Sequence, residues 1–210
     1  MVLGLGTGTT AKLLVDALGR RIRDEKLRIT AIATSVRTEQ QARALGVTLT
    51  SFASTSALDL AIDGADEVED GTLRLIKGLG GALLREKIVA EAARRFVVVV
   101  DASKAVSRLG ERAPEPVEVV RFGHEVTARR LAALSGSPVL RAGSDGKPFI
   151  TDNGNLIYDC HTGPLADPRA FGAALKSIAG VVESGLFLEG VEQVIVGEAD
   201  GSVRVLRPSH

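Results

Sequence analysis

The chain has 210 residues, 45% of them hydrophobic, enough for one domain with a core of its own or for a domain with a smaller companion. Lys and Arg number 26, as do Asp and Glu, so the net charge is zero and a broad electrostatic hold on nucleic acid or on an anionic membrane is excluded. Aromatics are only 3% with no Trp, which excludes base-stacking platforms. The apolar run FVVVV at 96–100 is too short to cross a bilayer, and the single Cys160 cannot close an internal disulfide, which suits a reducing cytoplasm.

Val2 to Leu5 reads as a short buried strand, followed by a loop of glycine and threonine. Residues 10–26 place Leu13, Leu14, Ala17, Leu18 and Ile22 on one helical face. A strand at 29–33 follows. Thr38 with Gln41 has capping-box spacing and Gly46 is a stop, which predicts a helix over 38–45. Strands are expected at 47–49 and 58–62, a helix over 81–95, and a central strand at FVVVV. Strands alternating with helices across short loops predict an α/β fold with a mostly parallel, Rossmann-like sheet flanked by helices.

The pattern changes near Arg121. A helix (HEVTARRLAALSG), an edge strand (PVLRAG), a hairpin turning at Asn153 and Gly154, a helix (DPRAFGAALKSI) and a strand (GVVESGLFL) predict a smaller α+β domain. The expected division is an α/β catalytic domain of residues 1–121 plus 198–210, and a smaller domain of residues 122–197. The tail VEQVIVGEADGSVRVL turns at Asp200 and Gly201 and returns to the first domain.

Four strand ends carry chemistry-bearing residues. GLGTGTT supplies Thr7, Gly8, Thr9 and Thr10 ahead of a helix, where bare N–H groups and hydroxyls suit a phosphate. It has neither the third glycine of a dinucleotide fingerprint nor the lysine of a P-loop, and read alone it is also a tight strand-to-helix turn. AIDGADEV sets Asp63 and Asp66 around Gly64 and Ala65, either an ordinary Asp-Gly turn or two carboxylates at the carboxyl end of a strand, where open α/β sheets bind ligands. No His or Cys lies nearby to complete a transition-metal site. LIKGLGGALLREK carries Lys77, then Gly78, Leu79 and Gly80, then Glu86 on a helix, which taken singly is a surface acid. VVVVDASK ends on Asp101 and Lys104, which also fit a capped turn. Four such ends in one chain are harder to explain as turns than any one of them.

In order and spacing, GLGTGTTA, DGADE, IKGLGGALLREKI and DASK resemble the type A ribose-5-phosphate isomerases, and TDNGN and GVVESGLF resemble the same family's second half. The resemblance implies an aldose–ketose isomerase of the pentose phosphate pathway that uses neither metal nor organic cofactor. It implies that Thr7, Gly8, Thr9 and Thr10 hold the phosphate. Asp63, Gly64, Ala65, Asp66, Lys77, Gly78, Leu79 and Gly80 would line the sugar site, with Lys104 as a further ligand contact. Glu86 would be the general base, moving a proton between C2 and C1 of a cis-enediol(ate). Lys77 and the N–H groups that follow it would stabilise the developing oxyanion, and Asp63 would assist ring opening. A cytoplasmic homodimer or homotetramer acting on a small sugar phosphate, without nucleic acid or membrane, is the expectation. Two departures stand out: Leu79 replaces a glycine usual in the second loop, and the basic helix that usually precedes the first loop has no counterpart before Val2. The alternatives are a sugar-phosphate sensor domain, which would not need Glu86, an inactive homologue without that helix, and a coenzyme A transferase or amino-sugar phosphate deaminase. The deaminase would want a His beside its acids, whereas His124, His161 and His210 lie outside the four loops.

Overall fold

The computed structural model describes residues 1–208. In chain order the first elements are β1 (Val2–Leu5), α1 (Thr9–Glu25), β2 (Thr30–Ala33), α2 (Val36–Ala44), β3 (Thr48–Leu49), β4 (Leu60–Asp63), β5 (Glu67–Glu69), β6 (Leu75–Ile76), α3 (Leu83–Glu91) and β7 (Phe96–Asp101). A 3-10 turn at Ala102–Lys104 leads to β8 (Ala105–Val106), β9 (Glu115–Val119), α4 (His124–Ser135), β10 (Pro138–Leu140), β11 (Leu156–Cys160), α5 (Pro168–Lys176), β12 (Val181–Ser184), β13 (Leu186–Phe187), β14 (Val191–Gly197) and β15 (Val203–Leu206). The chain divides into two compact units. One comprises Met1–Ala65, Arg85–Ser103 and the chain from Gly190 on; the other comprises Asp66–Leu84 and Lys104–Glu189.

The first unit is built on a seven-stranded sheet of order β15-β14-β7-β4-β1-β2-β3. Every pairing is parallel except β14 with β15, the hairpin expected at Asp200 and Gly201. Alternation along β1 sends Leu3 and Leu5 to one face, where Val15 and Leu18 of α1 and Ala42 of α2 close a core with Ile29, Ala31 and Val47. Gly4 points to the other face, where a Cβ would come within 2.4 Å of Val89 of α3; glycine there lets the helix approach the strand. The sheet runs outward from β1 in both directions, so its topological switch point lies between β1 and β4. This is the predicted α/β fold.

α2 begins two residues earlier than its expected start. Ser35, not Thr38, is the N-cap: its Oγ accepts from Thr38 N at 3.1 Å. α3 ends at Glu91 rather than at 95, because Ala92, Arg94 and Arg95 are drawn into backbone hydrogen bonds with Leu58 and Ala61.

The second unit holds two four-stranded sheets, β10-β11-β9-β12 and β13-β6-β5-β8. α4 and α5 cover the first of them, with Leu131 and Leu175 packed against Val117, Val119, Leu156, Tyr158 and Cys160. β9 was not expected, since EPVEV carries two glutamates, yet all five of its residues are buried. Glu118 is accommodated because its Oε1 accepts from Thr151 Oγ1 (3.0 Å), Asn153 Nδ2 (3.1 Å) and Asn155 Nδ2 (2.9 Å), which gives the TDNGN segment its structural role. The turn at Asn153 and Gly154 is present, but no strand precedes it. That side makes only an isolated bridge between Ala142 and Pro148, and β11 pairs with β10 and β9 instead. GVVESGLFL is two strands in two sheets. They part at Gly185, where a Cβ would lie 2.1 Å from the Lys77 carbonyl oxygen.

Candidate active site

In the first unit, the loop after β1 and the loop after β4 meet at the switch point. Gly6 N donates to Ile62 O (3.0 Å), and Asp63 Oδ1 accepts from Thr7 N (3.0 Å) and Gly64 N (2.8 Å). Asp63 is buried, and a Cβ on Gly6 would lie 1.9 Å from its Oδ1, so glycine is what admits the carboxylate. A Cβ on Gly64 would stand 3.7 Å from that of Thr10. Thr7, Thr10, Asp63 and Gly64 are therefore brought together.

Gly8 is the N-cap of α1 with φ 125°, a conformation that favours glycine, and no side chain caps the helix. The first turn holds no acid. Its N–H groups thus carry the positive end of the helix dipole with no side-chain anion of their own turn to answer it. Thr9 is exposed and Thr10 half-buried, whereas Thr7 is turned inward. Its Oγ1 lies 2.7 Å from Thr34 Oγ1, 2.8 Å from Ser35 Oγ and 3.2 Å from Thr38 Oγ1, all buried. This hydroxyl cluster at the end of β2 was missed in the sequence. Its signal was ATSVRT, a third strand end on the same edge of a parallel sheet. Glu86, in the first turn of α3, is 3% exposed, so it is a buried carboxyl and not a surface acid.

In the second unit, Asp66 and the second glycine loop are brought together: Asp66 Oδ2 accepts from Leu79 N at 2.9 Å. Lys77 is 2% exposed, with its Nζ 5.4 Å from the centre of the Phe187 ring. Gly78 (φ 106°) turns the chain over Leu83, and Gly81 (φ 83°) has no room for a Cβ beside Phe149. Leu79 and Gly80 are exposed, and Lys104 is half-buried at the end of the 3-10 turn. Arg141, missed in the sequence, clamps this loop. Its Nη1 donates to Gly78 O (2.8 Å) and Leu79 O (3.2 Å), while Nε and Nη2 form a two-pronged ion pair with Asp159. No local motif marks Arg141; only the fold brings it to residues more than sixty positions away. β5 is fixed likewise, the Glu67 carboxylate accepting from the N–H groups of Gly110, Arg112 and Ala113 at 2.6 to 2.7 Å. Among the described residues no helix is long and apolar enough to cross a membrane, and no group of three His, Cys, Asp or Glu is placed to hold a metal ion.

Comparison with known proteins gives one answer throughout. Residues 30–201 match the family model of ribose 5-phosphate isomerase A (phosphoriboisomerase A). Ribose-5-phosphate isomerase A of Roseiflexus castenholzii is 54% identical over 209 residues, covering 99% of this chain and 89% of the relative. The solved structure of ribose 5-phosphate isomerase A from Methanocaldococcus jannaschii superposes with a TM-score of 0.92 at 43% identity, covering 99% of this chain and 91% of that one. Ribose 5-phosphate isomerase from Plasmodium falciparum superposes with a TM-score of 0.94 at 35% identity, covering 100% and 92%.

Proposed function

Because this chain belongs to the ribose 5-phosphate isomerase A family, we propose that it interconverts ribose 5-phosphate and ribulose 5-phosphate. The observation that carries the reading is Glu86, nine residues after Lys77 in the family's IKGLGGALLREK pattern and buried to 3% exposure. A carboxylate held in place by burial can serve as a general base. Glu86 takes the proton from C2 and returns it to C1, passing through the cis-enediol(ate), and one carboxylate above both carbons suffices. Lys77 and the N–H groups of Gly78 and Gly80 stabilise the charge that develops on the oxygens, while the Gly81 N–H closes the loop onto Gly78 O at 2.9 Å. Gly8, Thr9 and Thr10 bind the phosphate, supported by the uncapped start of α1, and Thr7 anchors the loop behind them through Asp63 and Ser35. Asp63, Gly64, Ala65, Asp66 and Leu79 line the sugar, and Lys104 adds a further contact. Asp63, its Oδ1 fixed by two backbone N–H groups, assists ring opening. The enzyme works in the cytoplasm as a homodimer or homotetramer, to which its exposed Phe122, Val139 and Ile150 offer apolar surface.

Glu86→Gln keeps the shape of the side chain and removes the base. Turnover falls by about 10²-fold or more, since general-base catalysis contributes on the order of 10²–10⁴. Calorimetric affinity for the sugar phosphate changes little, and exchange of the C2 proton with deuterated solvent stops. Full activity in the Gln variant overturns the assignment of the base, and binding without turnover or exchange in the unaltered protein overturns the isomerase reading itself.

A further inference from the structure

The hydroxyl cluster behind the first loop has a direction. A hydroxyl has one proton to give. Thr38 Oγ1 gives its proton to Gly6 O (3.0 Å), Ser35 Oγ to Thr38 Oγ1 (3.0 Å), and Thr7 Oγ1 to Ser35 Oγ (2.8 Å). Thr34 Oγ1, 2.7 Å from Thr7 Oγ1, is then the donor in that pair. The chain runs Thr34, Thr7, Ser35, Thr38 and ends on the carbonyl of Gly6, so it ties the first loop at two points, Thr7 and Gly6. All four side chains are nine-tenths buried or more. Thr7 has thus given its hydroxyl proton to Ser35 and its N–H to Asp63. Neither donor of Thr7 is left for a ligand.

We propose that Thr34, Ser35 and Thr38 are positioning residues for substrate phosphate, acting through Thr7. Their hydroxyl chain holds the 6–8 loop so that the N–H groups of Gly8, Thr9 and Thr10 and the hydroxyls of Thr9 and Thr10 face the anion. This rests on the reading of that loop as the phosphate site. Two glycines in three residues leave the loop free to wander, and ordering it at the moment of binding would weaken affinity; the chain orders it in advance. Ser35 does double service, because the oxygen that takes the Thr7 proton also caps α2. The phosphate is remote from the carbons that react, so its hold is equal in ground and transition states. Loosening it raises KM and leaves kcat alone.

Thr38→Val preserves shape and removes both the proton given to Gly6 O and the acceptor used by Ser35. KM for ribose 5-phosphate, the inhibition constant of inorganic phosphate and its calorimetric Kd should rise together by about three- to ten-fold, the equivalent of one hydrogen bond. kcat should stay within about two-fold, and Thr38→Ser should restore all three constants. A lower Tm with unchanged KM and phosphate Kd would mean that the cluster only fills the core, and would overturn the proposal; so would a fall in kcat alone. The phosphate Kd needs no turnover, so it decides the proposal even if the isomerase reading fails. Should Thr38→Val not fold, Thr34→Val, which removes only the outermost donor, is measured in the same way, and unchanged constants there overturn it.

Discussion

Cys160 is fully buried, and its thiol is pushed from an ordinary 9.0 up to about 11, by burial above all; a hydrogen bond with Ser135 pulls against this, and Glu115 and Asp159 add to the rise. Below about pH 9 folded and unfolded chains both keep this proton, and stability does not depend on it. Between about 9 and about 11 only the folded chain keeps it, so stability falls as pH rises, by up to about 1.4 kcal/mol per unit. Above about 11 the dependence ends. Denaturant titrations across this range should show that slope, and Cys160→Ala should lose it relative to the parent. Legibility at this scale followed distance along the chain. Asp63, Asp66, Lys77 and Glu86 could be picked out as candidates because each sits inside a short motif. Arg141 could not, because nothing near it in sequence announces a contact 63 residues away, and the partners of Thr7, though they sit at a strand end in ATSVRT, lie 27 residues or more from it. Thr7 shows the limit most clearly. The motif marks it as facing a ligand, while its side chain points the other way.

Among elements, the junction of β1 with α1 depends on a single missing carbon. The Cβ of Gly6→Ala would fall 1.9 Å from Asp63 Oδ1, on a carboxylate already pinned by two N–H groups. Because φ at Gly6 is not positive, the cost is steric alone, on the order of 1–3 kcal/mol of overpacking. Gly6→Ala should lower the melting temperature by several degrees and weaken phosphate binding by calorimetry. Periodicity recovered the alternating strands and helices of the first unit because strands such as β1 and β7 are apolar runs and α1 buries Ala11, Val15 and Leu18 along one face. It misled where backbone groups had better partners. The last turn expected of α3 gives its carbonyls and N–H groups to Leu58 and Ala61. The segment around the expected hairpin turn gives Thr151, Asn153 and Asn155 to Glu118, and β9 hides two acids that pattern reading assigns to solvent.

At the scale of the whole molecule, the α/β class was legible because strand–helix alternation is a property of order along the chain. The points at which the chain passes from one unit to the other are set by pairing across long intervals, which order along the chain does not express. That pairing sets a timetable for synthesis. The second unit has all its residues once Glu189 has been made, whereas the first still lacks β14, which closes the flank of β7. Ninety-six residues separate Asp101 from Gly197 (197 − 101), roughly 5–20 s of translation at about 5–20 residues per second. For that interval the most apolar strand of the protein, with four valines in a row, offers an open edge to any neighbouring chain. A fragment ending at Glu189 keeps that edge for good. It should precipitate and bind thioflavin where the full chain stays in solution, and a soluble monomeric fragment would contradict this. The final hairpin is therefore less an ornament of the sheet than its last stitch, and the nascent protein must be shielded until that stitch is made.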